Sequence, residues 1–425
     1  MHELKRIFNE KKTENGDKAY YSVGNKYLDI LFKTQFYRNN LNQVPVIGTS
    51  NYDRLFACFI RDCRFGVGER DLGRILMKQS NVDAENILMA GRADDLLFMD
   101  KLEDFIELLY TGNYYAKKWS PRLTSGYKSK ILAKKLIKMM NITEREYRKL
   151  IKCDTIENSL SNDLEVVDFS HIPSLAFIKH FSTLNHKYGE KFQQFLDDAK
   201  NGKAKINVVT STPYDVVKAY HDKKIDNKTA ETMFNSLKNK ELSLKILPIV
   251  DNSGSMIMDD AYLKARAIGY YISQHSTYLP NHVVTFSAKP KLIELTGNFT
   301  EDMKIMNSWS DMTNTDFGKV MKLLGELKED FPDYLLVLSD MEFDCGSSLS
   351  KKSVMNSFKK HNIPTRIIWW NFNSRNETCP EMDNDGNIFI SGYNPNLLKF
   401  LESGFDAKKF LDKLLKEYSE KIINN

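Results

Sequence analysis

The run Ile246-Leu247-Pro248-Ile249-Val250, followed at once by Asp251-Asn252-Ser253-Gly254-Ser255-Met256, decides the fold of the second half of this chain. The first five residues read as a short buried strand, and a polar loop carrying three oxygen side chains follows it. Similar short apolar or β-branched runs recur at Val283–Phe286, Lys291–Leu295, Tyr334–Leu338, Arg366–Trp370 and Asn387–Ile390. Helical stretches are expected between most of them, at Asp260–Ser276, Asp316–Glu329, Lys351–His361 and Asp406–Ile422. Strands alternating with helices at this spacing predict a parallel sheet covered on both faces.

In such a sheet, ligands bind beyond the carboxyl ends of the strands. Asp251, Ser253 and Ser255 alternate along their loop, so their oxygens can meet at one point. One carboxylate and two hydroxyls make half of a shell for a hard cation such as Mg²⁺ or Mn²⁺. The plainer alternative is that Asp251 and Ser253 cap the helix that follows.

Outward from this loop, the first half reads helical. Apolar residues recur at three to four residue intervals at Tyr27–Phe32, Leu55–Ile60, Asp95–Tyr110 and Ser125–Met140. Asn141-Ile142-Thr143-Glu144 supplies a helix start. Further helices are expected at Leu175–Phe181, Phe192–Ala199, Pro213–Tyr220 and Ala230–Leu237, with no strand before about residue 205. No clean internal period appears, which favours an irregular stack of helix pairs over a strict repeat. Two domains follow, 1–240 and 241–425, joined through a Lys/Asn/Glu-rich passage between Asp222 and Leu244.

Charge separates the same halves. Up to Lys245 there are 41 Lys and Arg against 32 Asp and Glu; beyond it the balance is 20 against 24. Lys117 to Lys152 holds twelve Lys or Arg against Glu144 and Glu146 alone. Bases alternate with aromatics here: Lys117, Lys118, Trp119, Arg122, Tyr127, Lys128, Lys130, Lys134, Lys135 and Lys138, extended by Arg145, Arg148 and Lys149. On a helix, Lys130, Lys134 and Lys138 share one face, with Ile131, Leu132 and Leu136 expected to pack inward. Such a stripe suits phosphates, and Trp119 or Tyr127 can stack on unpaired bases; a solvated helix face is the alternative. Upstream, Arg61, Arg64 and Arg70 bracket Gly66 and Gly68 in a turn whose charges either pair locally or face an anion.

Composition excludes several classes. The 425 residues are 42% hydrophobic and 28% charged, an ordinary globular mixture, and no apolar run approaches the ~18 residues that span a bilayer. The polar Asn9–Asp17 stretch leaves no apolar core of a signal peptide. Cys58, Cys63, Cys153, Cys345 and Cys379 lack the spacing of a zinc ribbon or disulfide framework, which fits a reducing, cytoplasmic compartment. No GxxxxGK[ST], GxGxxG, HExxH or GxSxG motif occurs, and nothing singles out a general base among Asp259, Asp260, Asp316 and Asp344. His171, His180 and His186 read as structural. No catalytic residue is expected.

Asp251-x-Ser253-x-Ser255 resembles the metal-ion-dependent adhesion site of the von Willebrand factor A domain. That family adds a Thr from a second loop and an Asp after a later strand. Thr315, just before Asp316-Phe317-Gly318, and Asp340, which closes Leu336-Val337-Leu338-Ser339, match those positions; Thr313 is a less favoured substitute. The resemblance implies a doubly wound, Rossmann-like domain with an Mg²⁺ or Mn²⁺ that leaves one position open to water or a partner's acidic group.

A helical half joined to such a domain is similar to the Ro autoantigen, whose TROVE ring of HEAT-like helices binds small structured or misfolded RNAs. Passages at Arg61–Arg70, Lys118–Arg122, Asp251–Met256, Thr315–Phe317, Ser339–Asp344, Trp370-Asn371 and Ser391-Gly392 also resemble an uncharacterised family of plants, giant viruses and bacteriophages. That likeness covers roughly residues 50 to 402. The Lys- and Asn-rich composition would suit an AT-rich genome, and a viral source would place the protein in host cytoplasm or a virion. The expectation is α + α/β: an all-α HEAT-like domain, then a von Willebrand A domain. The expected activity is non-enzymatic binding of small structured or single-stranded RNA. A metal-dependent protein–protein scaffold, gripping an acidic partner, is the alternative.

Overall fold

The computed structural model describes residues 10–12, 18–20, 22, 25–153, 168–237, 245–286, 289–309, 319–320, 322–323, 331–340, 364–372, 381–382, 388–393 and 407–423. The chain forms two compact units and visits each twice. One is Met1–Asn39 with Phe169–Ala407, and the other is Asn40–Asp168 with Lys408–Asn425. The expected boundary at 240/241 falls inside the span of the first unit, within 238–244, outside the described residues.

The first unit holds the α/β architecture. A two-stranded antiparallel ribbon, β1 (Glu10–Lys12) and β2 (Lys18–Tyr20), lies at its N-terminal end. This corrects the expectation of no strand before residue 205; three-residue strands are too short for an alternation to register. The main sheet comprises β3 (Ile246–Asp251), β4 (His282–Phe286), β5 (Leu292–Glu294), β6 (Tyr334–Ser339), β7 (Arg366–Asn371), β8 (Glu381–Met382) and β9 (Ile388–Ser391). Their order is β5-β4-β3-β6-β7-β9-β8. The inner five run parallel, and the edges β5 and β8 are antiparallel to their neighbours.

The apolar runs of β3 and β6 are buried at every residue, as strands covered on both faces must be. Leu247, Ile249, Leu335, Val337, Ile367 and Trp369 form one side of the core with Phe286 and Val320. Against the other side lies the Ala261–His275 helix. A Cβ on its Gly269 would sit 2.5 Å from Val250 Cγ2 and 3.4 Å from a Leu338 methyl, so helix and sheet touch backbone to side chain. Gly269→Ala is therefore expected to cost about 1–3 kcal/mol through overpacking, read as a lower denaturation midpoint. A neutral result would show that Val250 has room to give.

The expected Leu175–Phe181 and Phe192–Ala199 helices are arms of one element, Ser174–Lys200, kinked at Gly189 (φ 43°). Phe177, Phe181 and Phe192 pack there with centroids 5.6–6.1 Å apart.

The second unit is helical among the described residues: Asn51–Arg61, Arg70–Gln79, Ala84–Ala90, Ala93–Phe98, Leu102–Tyr110, Tyr114–Trp119, Tyr127–Met140, Glu144–Leu150 and Ala407–Ile423. One amphipathic helix over Asp95–Tyr110 is not what forms. The chain breaks at Asp100 (φ 60°), giving two short helices whose apolar residues happen to continue the same period. The C-terminal helix belongs to this unit. Its Tyr418 packs edge-on to Phe59 at 5.4 Å, and its hydroxyl reaches Asp62 Oδ2 at 3.4 Å.

Candidate functional site

Parallel register sets the first candidate site. Val250 pairs with Leu338, so Asp251 and Ser339 come next on adjacent strands, and Asp340 lies one residue further. Ser339 in turn pairs with Asn371, and Asn371 with Ser391. The carboxyl ends of four neighbouring strands thus carry a polar row, Asp251–Ser339–Asn371–Ser391, where a parallel sheet presents its ligand crevice.

Asp251 is 1% exposed. Its Oδ1 accepts the Ser253 amide at 2.8 Å and its Oδ2 accepts the Ser339 hydroxyl at 2.5 Å. The Ser253 and Ser255 hydroxyls lie 3.0 Å apart. Asp340 is 4% exposed, and its amide donates to Met256 Sδ at 3.1 Å, which ties Asp340 to the segment after β3. Burial, with help from the Asp340 charge, pushes the Asp251 carboxyl up to about 6 against the pull of its hydrogen bonds from Ser339 and Ser253.

The structure therefore brings Asp251, Ser253, Ser255 and Asp340 to the carboxyl end of two central strands; Thr315 and Thr313 lie outside the described residues. Ser339 is the member that the motif reading left out, although its place one residue before Asp340 was the available signal. The Asn252 side-chain oxygen is buried without a hydrogen-bond partner among the described residues, a second desolvated oxygen beside Asp251. Two near-buried carboxylates with hydroxyls beside one of them are donors of the kind a hard cation takes. Among the described residues, no group of three or more His, Cys, Asp or Glu stands together as a metal cage. Of the acids first weighed as a base, Asp260 accepts from Tyr214 at 2.9 Å and from Lys218, which links it to the Pro213–His221 helix.

The second candidate surface lies in the helical unit. Lys128, Lys130, Lys134, Lys135 and Lys138 are all exposed on the Tyr127–Met140 helix, and Tyr127 is 80% exposed at its start. Ala133, Leu136 and Met140 are the buried face. Ile131 corrects the expectation, being 49% exposed rather than inward. The helix ends at Asn141 in the left-handed region (φ 53°), and Thr143 starts the next with a capping box to Glu146.

The Lys118–Arg122 segment is pinned between these helices. Tyr147 is buried and donates to the Pro121 carbonyl at 3.0 Å, while the Ser129 hydroxyl bridges both backbone groups of Arg122. Trp119 is half-buried, and the Arg92 guanidinium lies 3.8 Å from its ring centroid. One face of the expected stacking residue is thus already covered.

The expected arginines separate. Arg61 is 3% exposed and pairs with Asp95 at 2.8 Å, so it offers no charge to solvent. Arg74, absent from the motif reading, reaches Asp95 at 2.5 Å and Asp94 at 2.7 Å. Arg70 meets Asp94 at 3.4 Å, and Arg64 pairs with Asp62 and donates to the Met89 carbonyl. Arg61, Arg64 and Arg70 thus form ion pairs within the protein, only that of Arg64 with Asp62 being local in sequence. Gly66 and Gly73 make this possible: a Cβ at Gly66 would collide with the Phe59 carbonyl, and one at Gly73 would lie 2.7 Å from Arg61 Cα.

Residues 245–422 match a family described as a domain of unknown function, DUF7788, and residues 108–246 match a second, DUF2828. The two matches meet at residues 245–246, where the first strand of the main sheet begins. The uncharacterised protein L728 of Acanthamoeba polyphaga mimivirus is 25% identical, covering 96% of this chain and 87% of its own length. A crystal structure of the Ro (RSR) protein of Deinococcus radiodurans aligns with a TM-score of 0.43 at 10% identity, over 90% of this chain and 94% of that one. No described helix is long and apolar enough to cross a membrane.

Proposed function

We propose that this protein binds small RNA without acting on it chemically. The exposed basic face of the Tyr127–Met140 helix supplies the phosphate contacts, and a divalent cation at the polar carboxyl end of the α/β sheet supplies a separate ligand site. The observation that carries the RNA reading is a helix whose lysines at 128, 130, 134, 135 and 138 are all exposed, on a chain with no Asp or Glu between Glu107 and Glu144. Such a surface attracts a polyanion by counterion release, with no need for sequence-specific contacts. The test is binding of small structured RNAs across a salt titration, with and without EDTA. A slope of about −0.7 to −0.9 per phosphate, unchanged by EDTA, supports the reading. No binding at ~100 mM salt removes it and leaves a metal-gated protein scaffold.

The α/β unit is read here as a doubly wound von Willebrand A domain, and the helical unit as HEAT-like. Asp251, Ser253, Ser255, Asp340 and Thr315 would hold Mg²⁺ or Mn²⁺, with a coordination position left for an acidic partner. Such an ion, when bound, supplies positive charge to an incoming carboxylate. The chain's own residues do the positioning: Ser339 and the Ser253 amide fix the Asp251 carboxylate, and Met256 Sδ accepts the Asp340 amide.

Burial of Asp251 gives a pH dependence whose sign can be worked out. Its folded value of about 6 lies above the ordinary 3.8, so the folded state holds the proton more tightly than the unfolded state between those values. That contribution to stability is present at low pH and is lost as pH rises through about 6. A cation competes with the proton for the same oxygens. Mg²⁺ is therefore expected to raise the melting temperature at neutral pH, and this rise should shrink below about pH 6. Asp251→Ala should abolish it while leaving RNA binding unchanged. A rise that persists in Asp251→Ala would place the cation elsewhere.

A further inference from the structure

We propose that the helix-turn-helix corner from Tyr110 to Trp119 is a stacking platform for unpaired nucleobases, so that the nucleic acid engaged there is single-stranded. The inference rests on the nucleic-acid reading above and adds the residues and the strandedness.

Tyr110, Tyr114 and Tyr115 are 59%, 44% and 61% exposed, three large aromatic surfaces within six residues. The preceding helix, Leu102–Tyr110, buries Leu102, Phe105 and Leu109 and leaves Tyr110 outside. Tyr114–Trp119 buries only Ala116. Two rings at the start of a helix that buries one alanine leave about half of their area or more open to a ligand. Gly112, with φ 79°, makes the turn that brings the second helix back beside the first. The Tyr114 and Tyr115 rings then meet edge to face, with centroids 5.4 Å apart, so each holds the other's orientation.

Cations flank the rings. Lys118 Nζ lies 5.8 Å from the Tyr114 ring and 5.7 Å from the Trp119 ring. Lys117 Nζ folds over the turn, 3.7 Å from where a Gly112 Cβ would be. Arg92 covers Trp119, although it also pairs with Asp94, so that ring buttresses the corner and the exposed tyrosines offer the stacking area. Bases in a duplex are already stacked on one another and offer no face to a tyrosine; unpaired bases do, whatever their sequence. An apolar protein partner would meet the Lys118 ammonium beside the Tyr114 ring. A polyanion with aromatic bases matches both features at once.

The test uses the full-length protein with a fluorescent single-stranded oligouridylate and, separately, a fully paired RNA duplex of equal length, each titrated across a salt series. In the triple variant Tyr110→Ala/Tyr114→Ala/Tyr115→Ala, single-strand affinity is expected to fall on the order of 5- to 100-fold for each base stack lost. Duplex affinity should stay within twofold, and the salt slope should not change, because tyrosines release no counterions. The triple Phe variant should retain single-strand affinity, which separates stacking from any loss of fold. Wild-type affinity of the alanine variant for the single strand would overturn the platform. If reversal of Lys130, Lys134 and Lys138 still abolished binding in that case, the broader RNA reading would stand without it. A wild-type protein that binds neither RNA would remove both.

Discussion

Asp95→Ala is expected to destabilise the helical unit by about 3–5 kcal/mol, the penalty for leaving buried charges without their counter-ion. Asp95 is fully buried and meets two guanidiniums that are themselves nearly buried, Arg61 at 2.8 Å and Arg74 at 2.5 Å. It also accepts the Arg92 amide at 2.9 Å, which caps the Ala93–Phe98 helix. Burial works against the Arg74 charge, and Asp95 with Asp94 more than offsets it. Removing the carboxylate strands Arg61 in low dielectric, leaves Arg74 with Asp94 alone, and uncaps a helix in one step. At ~2–4 °C per kcal/mol for a unit of this size, the melting temperature should fall by roughly 10 °C.

Two controls give the loss its meaning. Replacing all three charges together, with Arg61→Met, Arg74→Met and Asp95→Leu, should recover much of it, because a buried ion network is often no more stable than a well-packed apolar one. Asp94→Ala should cost less, since Asp94 is partly exposed and water can take over its partners. A change below ~1 kcal/mol for Asp95→Ala would mean that water reaches Arg61 and Arg74 once the carboxylate is gone.

The cluster also shows what could and could not be read from the sequence. Six of the seven described strands of the main sheet were legible to within a residue or two, because buried parallel strands are continuous apolar runs; β8, two residues long at an antiparallel edge, offers no such run and was not read. Asp251 and Asp340 were legible as a pair because each follows such a run directly. Ser339 was harder to see, since hydroxyls at strand ends are common and only register shows that this one faces Asp251. Arg61 was placed on a surface because arginine is seldom buried. Its burial depends on Asp95, thirty-four positions away, and on Gly73, whose missing side chain makes room for it. Nothing local announces such a pairing. Ile131 failed for the opposite reason: its spacing fits an inward face, but the face that is buried carries Ala133, Leu136 and Met140 and leaves Ile131 exposed. The helical unit's short elements, broken at Asp100 and turned at Gly112, blur the period that would have resolved them.

Reversing Lys130, Lys134 and Lys138 to Glu is expected to reduce RNA affinity by 100-fold or more at ~100 mM salt and to flatten the log–log salt slope by about 2–3. The three positions lie four residues apart on one exposed helix face, so a phosphate backbone running along that face can meet all of them. Each lysine that neutralises a phosphate releases condensed counterions, and the slope counts those contacts. Reversal does more than delete them, because three carboxylates then repel the same backbone. Stability should hardly move, since all three side chains are exposed and the substitution exchanges one like-charged row for another. Lys134→Glu alone separates the two effects. It creates opposite-charge neighbours at Lys130 and Lys138, which favours the helix by a few tenths of a kcal/mol while removing one phosphate contact, so affinity and melting temperature should move in opposite directions. If the triple reversal left both affinity and slope intact, the basic face would be solvated surface. Any RNA bound would then have to be held elsewhere on the chain.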